Sequence, residues 1–293
     1  MLVASTGVIG VQLDIAPFEQ AAPQLVEKLS SEGGHDAACA IMTTDTHPKE
    51  CAVEIKTPAG IYHIGAMCKG SGMIQPNMAT MLCVITSDVK LAKGLAKPLL
   101  LEAVDASFNK ITVDSDTSTN DSVFFFANGA SGIDVSDEES LEHFQFRKAL
   151  RYVCESLARQ IAQDGEGATK LVTVLVEGAV DDKQAETAAR TIANSPLVKT
   201  AIAGHDCNWG RIAAALGRSG IDFEQEKTDI EIMGMPVCRD GLAVEFSEEE
   251  ALKRFEQDEI VILVNVHAGK GRARIWTCDL THEYIHINAD YRS

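Results

Sequence analysis

The stretch GSGMIQPNMATMLCVITSDV, residues 70 to 89, carries a glycine-rich polar loop straight into an apolar run, Met81 to Ile85. Ala79 and Thr80 sit at the border. A threonine at the lip of a buried strand has a plain reading, because β-branched residues favour strands. It has a chemical one as well. A hydroxyl placed after a strained, glycine-flanked loop can attack its own preceding carbonyl; the ester hydrolyses and leaves a threonine with a free α-amino group. That amine, with an ordinary pKa near 8, can serve as base for the hydroxyl beside it, so one residue supplies nucleophile and base. The local pattern alone favours the plain reading.

Outward from this loop, the chain reads as a mixture of helices and strands. CAVEIKTPAGIYHIGAMCKG alternates on both sides of Pro58-Ala59-Gly60, as a hairpin does. HDAACAIMTTDT before it reads as a strand with a polar end, and APFEQAAPQLVEKLSSEGG as a helix with Leu25, Val26 and Leu29 as its apolar stripe. The opening MLVASTGVIGVQL reads as a strand entered without lead or cap. Past the loop, the sequence predicts a helix interrupted by Pro98, a strand over Val123 to Ala127, and a long helix. Ser136 and Glu139 are a candidate capping box for that helix, and Leu150, Val153, Leu157 and Ile161 recur at its period. TKLVTVLVEGAV is a strand, and DKQAETAARTIANSPLVKTAI a helix ending near Pro196. NWGRIAAALGRSG is a helix capped by Asp206 or Asn208, and the tail from Lys227 reads as antiparallel strands, THEYIHINADY included. Hairpins with few strict βαβ units imply an α+β layered sandwich.

Composition narrows the function. The 293 residues are 45% hydrophobic, and the net charge of −17 with no basic patch argues against nucleic acid and anionic membrane as partners. No apolar run is long enough to span a bilayer, and no secretory signal is visible. Eight scattered cysteines without C-x-x-C spacing suit a reducing, cytoplasmic compartment better than a disulfide scaffold or zinc ribbon.

Several motifs offer chemistry. HEYIH, residues 282 to 286, matches a zinc-peptidase pattern. On the expected strand, however, its two histidines would lie about 13 Å apart at ~3.3 Å per residue, too far to share one ion. No metal is expected. GAMCKGSG, residues 65 to 72, lacks the G-K-[ST] ending of a phosphate loop, so a flexible loop is the better reading. STGVIG, residues 5 to 10, could supply an oxyanion hole through the Gly7 N–H and the Thr6 hydroxyl, though a strand-ending turn explains the spacing as well.

Taken in order, ASTGVIG, MTTDT, KGSGMIQPNMATML, TVDSDTSTNDS, GEGATKLVTV, IANSPLVKTAI, the DCNWGR block and the terminal TCDLTHEY with INADYRS closely resemble the ornithine acetyltransferase family (bifunctional glutamate N-acetyltransferase, ArgJ). The likeness runs over almost the whole chain. It implies a layered α/β/β/α-type sandwich of the ArgJ/DmpA-like kind, self-cleaved between Ala79 and Thr80 into an α piece (1–79) and a β piece (80–293). It further implies a ping-pong transfer in arginine biosynthesis: Thr80 takes acetyl from N2-acetylornithine and passes it to L-glutamate. No cofactor is implied; acetyl-CoA is a second candidate donor, which would make the enzyme an amino-acid N-acetyltransferase too. An assembly of two α and two β pieces in the cytoplasm is expected.

Carried over by position, Thr6 and Gly7 would form the oxyanion hole beside the nucleophile Thr80, and Thr43, Lys69, Thr80, Glu166, Asn288 and Ser293 would contact substrate. Lys69 and Asn288 suit a carboxylate, Glu166 an amine or a proton transfer. Members of the family carry a further segment before STGVIG, so the sequence is expected to be a fragment or to start too far downstream. Two rivals stay open: an N-terminal-nucleophile amidase or aminopeptidase of the same fold, which would pass the acyl group to water, and an inactive fragment with a binding or structural role.

Overall fold

The computed structural model describes residues 2–75 and 81–290. Ala79, Thr80 and Ser293 therefore lie outside the described residues.

The segment 2–15 is not the expected strand. It runs exposed and without regular structure, and Val3, Ile9 and Val11 are each more than half exposed. Helix α1 (Ala16–Glu27) begins with Pro in its first turn, where no N–H is needed. It forms as predicted, but Leu25, Val26 and Leu29 face outward. Helix α2 (Gly34–Ala40) corrects the second expectation. GHDAACA has three alanines and no β-branched residue, so helix propensity decides.

The hairpin is as read: β1 (Lys49–Thr57) pairs antiparallel with β2 (Gly60–Lys69) from Lys49↔Cys68 to Thr57↔Gly60. Strand β3 (Leu82–Ser87) joins β2 antiparallel, and after α3 (Lys93–Ala106, with Pro98 inside) β4 (Ser122–Ala127) joins β3 in parallel. These make the first sheet, in order β1-β2-β3-β4. Helix α4 (Leu141–Gln163) packs against it, with Leu150, Val153, Leu157 and Ile161 fully buried as their period required. The cap is Ser140, whose hydroxyl accepts the His143 N–H at 3.1 Å. Ser136 instead accepts the Ala92 N–H.

The second sheet has the order β10-β5-β9-β6-β7-β8. Its first strand in the chain is β5 (Leu171–Ala179), followed by α5 (Asp182–Ala193), α6 (Pro196–Ala203) and α7 (Trp209–Gly217). The helix expected to end near Pro196 ends at Ala193, and a further helix, not separately expected, follows it. The break falls at Asn194-Ser195, and Pro196 opens the next helix, where its ring fits. Asn208 caps α7 by accepting the Arg211 N–H. Strands β6 (Asp229–Ile232), β7 (Met235–Arg239) and β8 (Leu242–Ala243) form hairpins; helix α8 (Glu248–Arg254) then leads to β9 (Glu259–Asn265) and β10 (Gly271–Cys278). Helices α5 to α7 cover one side of this sheet, and α4 also touches β5 and β10, which gives the α+β sandwich.

The chain closes on helix α9 (His282–Asp290), not on a strand. Thr281 starts it by accepting the Glu283 N–H at 3.2 Å and donating to the Gly167 carbonyl at 2.7 Å. This removes the strand argument against HEYIH, since His282 and His286 now lie one turn apart. His286 engages Glu283 and Asp290, and among the described residues no three His, Cys, Asp or Glu side chains gather to hold a metal.

The corrected cap is testable: Ser140→Ala should cost about 1 kcal/mol in chemical unfolding, while Glu139→Ala should stay within roughly 0.5 kcal/mol of the parent.

Candidate active site

The glycine-rich loop over residues 70–75 is pinned from several sides. Asp45 accepts the Gly70 N–H at 2.8 Å and the Thr43 N–H at 3.1 Å. Ser71 donates its hydroxyl to the Asp164 carbonyl and accepts the Glu166 N–H on its own carbonyl. Asp114 receives the N–H groups of Met73 and Ile74 at 2.6 and 2.8 Å. Met73 adopts φ of 56°, a left-handed conformation that costs a methionine on the order of 1 kcal/mol and that these bonds enforce. On the far side of residues 76–80, the Met81 carbonyl accepts the Ser122 N–H at 2.8 Å.

Beneath the loop, Lys49 is wholly buried and bridges two carboxylates, Asp45 at 2.6 Å and Asp164. Thr46 donates to Asp164 as well. Burial pushes the Asp45 carboxyl up, but the Lys49 ammonium and the Gly70 and Thr43 N–H groups outweigh it, and the pKa falls below the ordinary value. Asp45, Lys49 and Asp164 hold residues 43, 70–71 and 166 in one frame.

A cleft of about 260 Å³ opens over this frame, lined by Thr6, Gly7, Thr43, Lys69, Glu166 and Asn288. These are all the predicted site residues that lie within the described chain, brought together from segments far apart in sequence. Gly72, Met73 and the stretch Ser118 to Asn120 complete the lining. Lys69, at the end of β2, is 7% exposed; burial lowers its pKa, with Asp45, Asp121 and Glu166 opposing that and Lys49 adding to it. Glu166 is equally buried and accepts the Asn288 amide at 2.7 Å. Helix α9 reaches it because Gly167, at φ of 69°, lets the Tyr284 backbone approach to where a Cβ would stand. A Cβ on Gly72 would overlap the Glu166 carboxylate, so any larger residue there must push that carboxylate aside. Thr6 and Gly7 lie on the exposed wall.

A wider cleft of about 700 Å³ elsewhere is lined by Lys110, Arg151, Arg272 and Arg274 among others. It contains none of the predicted residues, and Lys110, Arg151 and Arg274 are already paired with Glu186 or Glu155.

Sequence reading missed Asp45, Lys49, Asp114, Asp121, Asp164 and Gly72. The motifs MTTDT and TVDSDTSTNDS contain Asp45, Asp114 and Asp121, and these acids are the available signal. Lys49 gave none, because it reads as the polar first residue of an alternating strand.

In this cleft a buried lysine, a hydrogen-bonded glutamate and a glycine-bearing wall converge on an α+β sandwich. A sequence model described as "ArgJ family" matches residues 1–293, and the chain belongs to that family. Among its relatives, the arginine biosynthesis bifunctional protein ArgJ of Chlorobaculum tepidum is 49% identical over 296 residues, covering 100% of this chain and 72% of the relative. The protein of the same name from Dehalococcoides mccartyi is 46% identical, covering 99% and 71%. The crystal structure of arginine biosynthesis bifunctional protein ArgJ from Bacillus halodurans is 44% identical with a TM-score of 0.68, covering 71% of this chain and 98% of that one.

Two outcomes test the frame. Gly72→Ala should displace the Glu166 carboxylate and lower acyl transfer about 100-fold with thermal unfolding little changed, measured as kcat/KM beside a melting curve. Asp45→Ala should cost about 3–5 kcal/mol, because it leaves Lys49 short of a counter-charge. Since the folded pKa of Asp45 lies below its unfolded value, its contribution is present above the unfolded value near 3.9. It disappears as pH falls through the folded one, so unfolding curves of parent and variant should converge on acidification.

Proposed function

We propose that the chain is a glutamate N-acetyltransferase that moves acetyl from N2-acetylornithine to L-glutamate through an acetyl ester on Thr80. The observation that carries this reading is the convergence of Thr6, Gly7, Thr43, Lys69, Glu166 and Asn288 on one cleft, next to the loop that leads to Thr80. The names of the relatives, arginine biosynthesis bifunctional proteins, support it.

Cleavage between Ala79 and Thr80 frees the α-amine of Thr80. In the first half-reaction that amine takes the Oγ proton, Oγ adds to the acetyl carbonyl carbon, and the negative charge on the carbonyl oxygen falls to the Gly7 N–H and the Thr6 hydroxyl. The bond to ornithine nitrogen breaks, and the proton leaves with that nitrogen. In the second half the neutral amine of glutamate attacks the ester, its proton returns to Oγ, and N-acetylglutamate departs. Lys69 is the partner for a substrate carboxylate: an incoming anion restores the charge that burial disfavours. Glu166, steadied by Asn288, faces the substrate amine, and Ser293 at the chain end contacts the substrate. Acetyl-CoA serves as a second donor. In the cytoplasm the two pieces assemble as two α and two β.

Intact mass of the purified chain under denaturing conditions should resolve pieces of residues 1–79 and 80–293, and Thr80→Ala should give a single uncut species without acetyl transfer. An uncut parent chain would overturn the nucleophile. Lys69→Met should raise KM for glutamate about 10-fold or more, with kcat less affected.

A further inference from the structure

The wider cleft of about 700 Å³ carries positive charge that its own acids do not balance. Lys110 stands in the turn after α3, Arg151 on α4, Lys183 on α5, and Arg272 and Arg274 on β10. Two adjoining hollows, of about 670 and 360 Å³, share Glu186 with it, and Arg190 of α5 lines both. No run of sequence announces this basic groove, because its members come from four elements. Six cations face four carboxylates. One oxygen of Glu155 serves Arg151 at 3.0 Å and Arg274 at 3.2 Å, and Glu186 serves Lys110 at 2.6 Å and Arg190 at 2.8 Å. Asp182 accepts the Arg272 backbone N–H. Glu177 lies opposite Arg272 in the β5–β10 register, yet among the described residues neither it, Arg272 nor Lys183 forms an ion pair. The Nη1 of Arg190 is buried and meets no acceptor there either. The Arg274 guanidinium lies 3.9 Å from the centre of the Trp276 ring, which holds its plane. Burial lowers its pKa; Glu155 opposes this, and Arg151 and Arg159 add to it. So many like charges on so few acids, in a chain of net charge −17, carry a cost that an anion relieves.

We propose that this groove binds a small ligand carrying a diphosphate, with Lys183, Arg272 and Arg274 as its partners. Phosphoryl oxygens match guanidinium forks, and the cleft has the volume of a nucleotide site rather than a track for a polymer. Arg272 and Arg274, two residues apart on one strand, share a face and are spaced roughly 7 Å along it. That span suits two linked phosphoryl groups better than one carboxylate. The groove also borders the acetyl-transfer cleft. Gln75 and Thr117 line one of the adjoining hollows, and Thr117 donates to the Gln75 carbonyl at 3.0 Å. Met73 and Ser118, beside them in the chain, line the cleft. The diphosphate therefore has two sources: the tail of a nucleotide-carried acyl donor whose acetyl end lies in the cleft, or a free nucleotide.

The test is calorimetric titration of inorganic pyrophosphate into the purified protein, parent against Arg272→Gln and Lys183→Gln, at low and at moderate salt. Both side chains are exposed and unpaired among the described residues, so melting curves should stay with the parent. Expected are saturable binding to the parent that weakens with salt and a loss of about 10-fold in either variant. Arg147→Gln, which removes a surface arginine paired with Glu102 outside the groove, should bind as the parent does. A parent that shows no saturable binding, or variants that bind as tightly as the parent, overturns the proposal. Acetyl-transfer kinetics separate the two sources. Pyrophosphate that competes with acetyl-CoA but not with N2-acetylornithine assigns the groove to the donor tail. Pyrophosphate that binds and competes with neither assigns it to a free nucleotide. Competition with N2-acetylornithine places the anion in the acetyl cleft and overturns the groove. Binding is read without catalysis, so an inactive chain leaves that result standing, and an active chain that binds no pyrophosphate leaves the acetyltransferase reading standing.

Discussion

The ammonium of Lys49, wholly buried between Asp45 and Asp164, is the contact on which the site depends. A lone buried charge would cost several kcal/mol, and a pair with spare lone pairs would remain poor. Here each carboxylate spends its remaining capacity on backbone: Asp45 on Gly70 and Thr43, Asp164 on Thr46. The electrostatic requirement of one lysine thus fixes three chain segments that share no secondary-structure element. Replacing the triad by apolar residues of equal volume could match its stability, but it would lose the anchors that aim the loop at the cleft.

Part of this was legible beforehand. The β1–β2 hairpin, α4 and the paired strands announce themselves because their periods are long and their faces one-sided. Errors fell where local signals conflict. GHDAACA had the length of a strand but the alanine content of a helix. THEYIHINADY alternates, yet Thr281 and the close approach at Gly167 wind it into α9. Ser136 and Glu139 looked like a cap, but the helix starts one turn later at Ser140.

The site was legible through resemblance rather than through spacing. Thr6, Thr43, Lys69, Glu166 and Asn288 are too far apart for any periodicity to link them, and each has an ordinary explanation in its own neighbourhood. What resemblance did not expose is the support beneath them. Asp45, Lys49 and Asp164 are not among the residues lining the 260 Å³ cleft, and their role shows only when burial and partners are known together. Gly72 is similar: its constraint is the volume of the Glu166 carboxylate, a residue 94 positions away in a chain numbered without reference to space.

The antiparallel pairing of β2 with β3, from Ile64↔Ser87 to Lys69↔Leu82, has a consequence for the cleavage proposed above. The loop between those strands contains the Ala79–Thr80 bond, so a cut there leaves one sheet built from two chains. Unfolding then changes molecularity. The intact precursor folds as a single chain with its register prepaid by the loop, whereas the cut protein, once denatured, must find its partner by diffusion. Its midpoint then depends on concentration, and recovery from denaturant becomes a second-order process. On that proposal the uncut chain is the form that folds easily, and a cut would make that folding hard to repeat.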